Sequence, residues 1–132
     1  MTDPHTCIFL KPENTEKKVH IVEVLPIITS NLVHHIVVFR CFNGAPESGI
    51  FRNTCYMSPM LCKSLVATWG PGDSSLTYPP HVGMLFGEEM PILMLQIHWS
   101  NPHKNSGKIP LVYVTPRSRV RLVDNSPRAI IN

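Results

Sequence analysis

The chain has 132 residues, of which 43% are hydrophobic and 16% charged; 12 basic and 9 acidic side chains leave a net charge of +3 with histidine neutral. This balance fits one globular domain with a real core and excludes a disordered chain, while so mild a charge, without basic residues gathered around stacking aromatics, argues against nucleic-acid binding. Thirteen prolines disfavour long helices, and no run approaches the roughly 20 apolar residues that a membrane span needs.

In chain order, turn-forming residues cluster at 11–14, 42–49, 70–75, 78–83, 100–107 and 124–127. Between them lie short runs rich in β-branched and aromatic residues: CIFL (7–10), VHIVEVLPI (19–27), HHIVVFRC (34–41), KSLVATW (63–69), VGMLF (82–86), ILMLQIHW (92–99), IPLVYVT (109–115) and RVRLV (119–123). Each is of strand length, so the expected fold is all-β, an antiparallel, jelly-roll-like β-sandwich forming one domain over 1–132.

Cys7, Cys41, Cys55 and Cys62 form no C-x-x-C pair and fit no zinc-ribbon or thioredoxin spacing. Two disulfides in an oxidising compartment is the expectation, with three pairings open; four buried free thiols is the alternative. The opening MTDPHTC lacks the basic and apolar regions of a secretory signal. Disulfides in such a chain imply a trimmed mature form or a fragment.

Two strands carry polar faces. In 92–99, Leu93, Leu95 and Ile97 share one face and Met94, Gln96 and His98 the other, which either is solvated or belongs to a site. In the C-terminal run Arg117, Arg119 and Arg121 share a face, expected to be solvated and edge-protecting, with a docking surface as the other reading.

The pair His34-His35 poses a geometric problem, since successive strand residues point to opposite faces. Both rings reach one site only where the strand begins, bulges or twists, and Ser30 and Asn31 just upstream make a strand start plausible. With His98 the pair supplies three imidazoles and an open position, a set that suits copper and zinc alike.

The motifs VHHIVVFRC (33–41), LVATWGPG (65–72), YPPHVGMLFG (78–87) and MLQIHWSNP (94–102) resemble, in order and spacing, the N-terminal copper domain of the copper type II, ascorbate-dependent monooxygenases, the family of peptidylglycine α-hydroxylating and dopamine β-monooxygenases. The resemblance covers nearly the whole chain. It implies that His34, His35 and His98 bind one copper, cycling between Cu(I) and Cu(II) with ascorbate as reductant, and that Gln96 orients water or a ligand beside it. It also implies the pairs Cys7–Cys55 and Cys41–Cys62 and, with the disulfides, a secreted or secretory-lumen protein. Family members carry a second copper domain with an H-x-H motif and a later methionine, where oxygen and substrate meet. No H-x-H occurs here. The expectation is therefore the electron-transfer half alone, without the second domain and unable to hydroxylate substrate by itself.

His5 and Trp99 stand where the family usually has tyrosine. His5 is open between a fourth ligand and an exposed terminal residue, while His20, His81 and His103 read as surface or turn residues. A second reading is a stand-alone secreted copper-binding or interaction protein that has lost catalysis. A third is a zinc hydrolase, for which Glu88 and Glu89 are the nameable general bases. Oligomeric state has no signature in the sequence.

Overall fold

The computed structural model describes residues 5–13, 15–28, 30–52 and 60–100, together with 119–123 and 129–131 as strand backbone. Among the described residues ten strands form: β1 (His5–Leu10), β2 (Lys18–Leu25), β3 (Val33–Cys41), β4 (Ser48–Arg52), β5 (Ser64–Trp69), β6 (Leu76–Thr77), β7 (Val82–Gly87), β8 (Ile92–Trp99), β9 (Arg119–Val123) and β10 (Ala129–Ile131). Among the described residues there is no helix, hence none long and apolar enough to cross a membrane.

One sheet has the order β4-β1-β8-β3-β5 and is antiparallel throughout; the other has the order β10-β7-β2-β6, with β9 also on β2. The fold is the expected all-β sandwich. One detail differs: β10 runs parallel to β7. The runs 7–10, 34–41, 82–86, 92–99 and 119–123 fall on strands, 19–27 and 63–69 do so except for residues 26–27 and 63, and 109–115 lies outside the described residues. Strands β4, β6 and β10 were not expected. They are two to five residues long, and β4 starts inside a stretch whose Gly and Pro content reads as turn.

The two sheets close over Ile8, Ile36, Val38, Leu93, Ile97 and Trp99 from the first, and Ile21, Val24, Met84 and Phe86 from the second. Period-two alternation does most of this: Leu93, Ile97 and Trp99 on β8 face inward with Ile36 and Val38 on β3. A polar bolt crosses the layer, where the buried Arg40 donates from Nε to Ser64 Oγ at 2.7 Å and from Nη1 to the Leu85 carbonyl on β7.

The outer face of the first sheet is not simply solvated. Cys7, Phe9, Cys41, Ala45, Cys62, Ile92 and Met94 form a second buried cluster there, stapled by the Cys41–Cys62 disulfide. Cys7 is 1% exposed and disulfide-bonded; Cys55, its implied partner, lies outside the described residues. The free-thiol alternative is thereby excluded for Cys7, Cys41 and Cys62.

β8 enters from a tight turn in which Gly87 and Met90 exchange backbone hydrogen bonds of 3.1 and 2.9 Å around Glu88 and Glu89. Gly87 has φ +90°, and a Cβ there would run into the Lys17 carbonyl, so this turn requires glycine. The turn fixes where β8 begins, and so which of its residues face outward.

Candidate metal centre

At the far end of β8 the outer face changes from apolar to histidine. In the β3–β8 ladder Val33 pairs with Trp99, yet the next pair is His35 with His98, so His34 is the extra residue of a β-bulge. A regular ladder would have set His34 against His98 and sent His35 into the core beside Ile97. The bulge lets both histidines use the outer face. That resolves the geometric problem of adjacent histidines.

The bulge is held from both sides. The Ser30 hydroxyl accepts from the Leu32 N–H at 3.2 Å, and the Val33 N–H donates to the Ser30 carbonyl at 3.4 Å, which turns the chain just before β3. The Ser100 N–H donates to the Leu32 carbonyl at 2.8 Å, tying the end of β8 to the start of β3.

The three rings converge through the same atom: Nδ1 of His34 and Nδ1 of His35 are 2.9 Å apart, and Nδ1 of His98 lies 3.3 Å from Nδ1 of His35. Their planes are splayed by 65–75°, so three in-plane lone pairs can meet at one point. Nitrogens sharing one ion at about 2.0–2.1 Å sit roughly 3–3.5 Å from each other; the His35–His98 pair falls within that spacing and the His34–His35 pair just below it. Potential ligand atoms of the three residues all lie within 4.8 Å of one another, and among the described residues no cysteine or carboxylate joins the group. His34 is exposed, His35 and His98 are half-buried, and the centre opens to solvent on the His34 side.

Burial, and then the neighbouring His98 and His34, hold the His35 imidazole below its ordinary pKa. A ligand histidine must be neutral, so this environment favours the protonation state that binds metal.

Gln96 sits on the same outer face, one pleat from His98, between Cys7 of β1 and Val37 of β3. His5 is no frayed terminus: it opens β1 as the cross-strand partner of His98 and is half-buried. Its ring stacks on that of His98, with centroids 4.4 Å apart and planes within 3°. Sequence reasoning missed this contact because it did not assign β1 as the neighbour of β8; that pairing was the signal required. Trp99 faces the core, 3% exposed, its indole N–H donating to Thr6 Oγ1 at 3.0 Å, so this departure from the family's tyrosine falls away from the histidine face.

The remaining candidates separate cleanly. His20, expected at the surface, is 7% exposed, although it alternates with the core residue Ile21; it sits mid-sheet, paired with Leu85 of β7 on one side and Val123 of β9 on the other. His81 occupies an exposed turn with φ 66°, as expected, and His103 lies outside the described residues. Glu88 and Glu89 sit before the opposite end of β8, about 20 Å from His98 at about 3.4 Å per residue, and Glu88 faces Lys18 at 3.9 Å. Neither carboxylate can act as general base at the histidines. Arg117 lies outside the described residues; Arg119 and Arg121 lie on β9 against β2, with Arg121 opposite Glu23.

The family model for the N-terminal domain of copper type II ascorbate-dependent monooxygenases matches residues 1–106, a span that includes β1, β3 and β8. The chain belongs to this family. Among its relatives, DBH-like monooxygenase protein 1 of Mus musculus is 35% identical over 116 residues, covering 78% of this chain and 19% of its own length. The protein of the same name in Homo sapiens is 30% identical over 114 residues, with the same coverage of 78% and 19%. Dopamine beta-hydroxylase of Canis lupus familiaris is 33% identical over 99 residues, 67% of this chain and 16% of its own. The chain thus spans less than a fifth of the length of these relatives. As a copper type II monooxygenase N-terminal domain, it has the His34, His35 and His98 cluster within the matched span.

Proposed function

We propose that this domain binds one copper ion through His34, His35 and His98 and serves as the electron-transfer half of an ascorbate-dependent monooxygenase. The observation that carries the reading is the convergence of three Nδ1 atoms from a bulged β3 and its neighbour β8. When bound, copper would supply one-electron redox chemistry, and three neutral imidazoles without a thiolate serve both of its oxidation states. The chain's own residues set the conditions: the bulge aims His34 and His35, the lowered pKa of His35 keeps a lone pair available, and Gln96 orients water or a small ligand beside His98. Exposure at His34 gives a reductant such as ascorbate an approach to the centre.

Insertion of oxygen into a C–H bond is assigned to a partner domain bearing a second copper. The described disulfide and the family membership support a place in the secretory pathway. The absence of a nearby carboxylate among the described residues disfavours a zinc hydrolase, which needs a general base.

Titration of the purified, oxidised protein with Cu(I) and Cu(II) tests the assignment. One equivalent should bind tightly in each state, and His98→Ala should weaken it by at least about 100-fold, beyond the usual effect of losing an outer-sphere partner. Binding indifferent to His98→Ala would refute the site.

A further inference from the structure

The inference rests on the copper reading and concerns His5. Of the ring contacts among His5, His34, His35 and His98, three are edge-on at 65–75°, and these are the contacts within the converging trio. The His5–His98 contact is face-on, with planes 3° apart and centroids at 4.4 Å. An imidazole lone pair lies in its own ring plane, so two stacked parallel rings direct their lone pairs along separate parallel planes. They cannot both meet an ion lying in the plane of His98. We propose that His5 is a positioning residue of the metal centre: its stacked ring fixes the plane in which His98 presents Nδ1, and His5 itself is not a ligand.

The backbone favours this role. The pairing of His5 with His98 continues directly into Thr6 with Ile97 and Cys7 with Gln96, so the stack is anchored by a regular ladder and by the buried Cys7. The imidazole torsion of His98 is otherwise broad, and a flat neighbour lying against one face narrows it. His35, the opposite cross-strand neighbour, meets His98 at 67° and converges with it instead.

The test compares wild type, His5→Ala and His5→Phe by two readouts. In the metal-free protein the His98 ring protons should carry an upfield ring-current shift that His5→Phe keeps and His5→Ala loses. On loading, His5→Phe should bind Cu(I) as wild type does, His5→Ala about tenfold more weakly, and X-ray absorption should count the same number of imidazoles in all three. One imidazole fewer in both variants would make His5 a ligand and overturn the proposal, as would unchanged shifts and affinity in His5→Ala. A wild-type protein that takes up no copper would overturn the copper reading itself, and the metal-free spectrum distinguishes that failure from failure of the stack.

Discussion

His35 on β3 and His98 on β8 are cross-strand partners with their Nδ1 atoms 3.3 Å apart. This pairing exists because β3 gains one residue at His34, between the Val33–Trp99 and His35–His98 pairs. Val33 and Trp99 on one side of the bulge, and Ile36 and Ile97 on the other, all belong to the core. The hydrophobic register therefore holds the bulge in place, since a one-residue slip would drive imidazoles inward.

The depressed pKa of His35 sets an expected pH dependence for the metal-free protein. A histidine whose folded pKa is lowered takes up its proton sooner when unfolded, so acidification from its ordinary value of 6.5 favours the unfolded chain. Stability should be flat above that pH and decline below it, until the folded His35 protonates as well. Urea midpoints recorded between about pH 8 and pH 5 should show the decline, and His35→Gln should reduce it. An identical acid loss in wild type and variant would place the titrating group elsewhere.

The Cys41–Cys62 disulfide closes a separation of 21 residues and lies within the outer-face cluster. Replacing both cysteines by alanine should cost about 3 kcal/mol by the loop-entropy account, measured as a change in unfolding free energy. A loss under about 1 kcal/mol would show that the outer-face packing holds that region without its staple.

Arg40 is 7% exposed and joins the two sheets through Ser64 and the Leu85 carbonyl. Arg40→Ala should lower stability by about 2–3 kcal/mol, because buried acceptors lose a charged donor. Copper stoichiometry should be unchanged, since the guanidinium points away from the histidine face toward β7. A stability change within about 0.5 kcal/mol would contradict the bridging role.

Much of the sandwich was legible because β8 alternates along its length without a register shift against β1. Leu93, Leu95 and Ile97 on β8 announced the core face, and the spacing of turns located most strand ends. The outer face was harder. Met94 is 5% exposed because residues distant in sequence, Cys7, Phe9 and Cys62, cover it, and local periodicity does not reveal such a cover. The three histidines could be named from residue type and resemblance. Their convergence depended on a bulge, which changes the pairing count by one residue and leaves only the weak trace of two adjacent histidines in an apolar run. His20 misled for a related reason: it alternates with the core residue Ile21 and so reads as solvated, yet it is buried at a position flanked by β7 and β9. His5 stayed ambiguous because its role comes from a neighbour 93 positions away in register, His98, and not from anything beside it in the chain.

The most direct test is X-ray absorption on the oxidised protein loaded with one equivalent of copper, measured as Cu(II) and after reduction with ascorbate. The account predicts three imidazole ligands in both states, with one lost in each of His34→Ala, His35→Ala and His98→Ala. Fewer than three in the wild type, or a count that none of these substitutions changes, would contradict a copper centre at the His34 bulge.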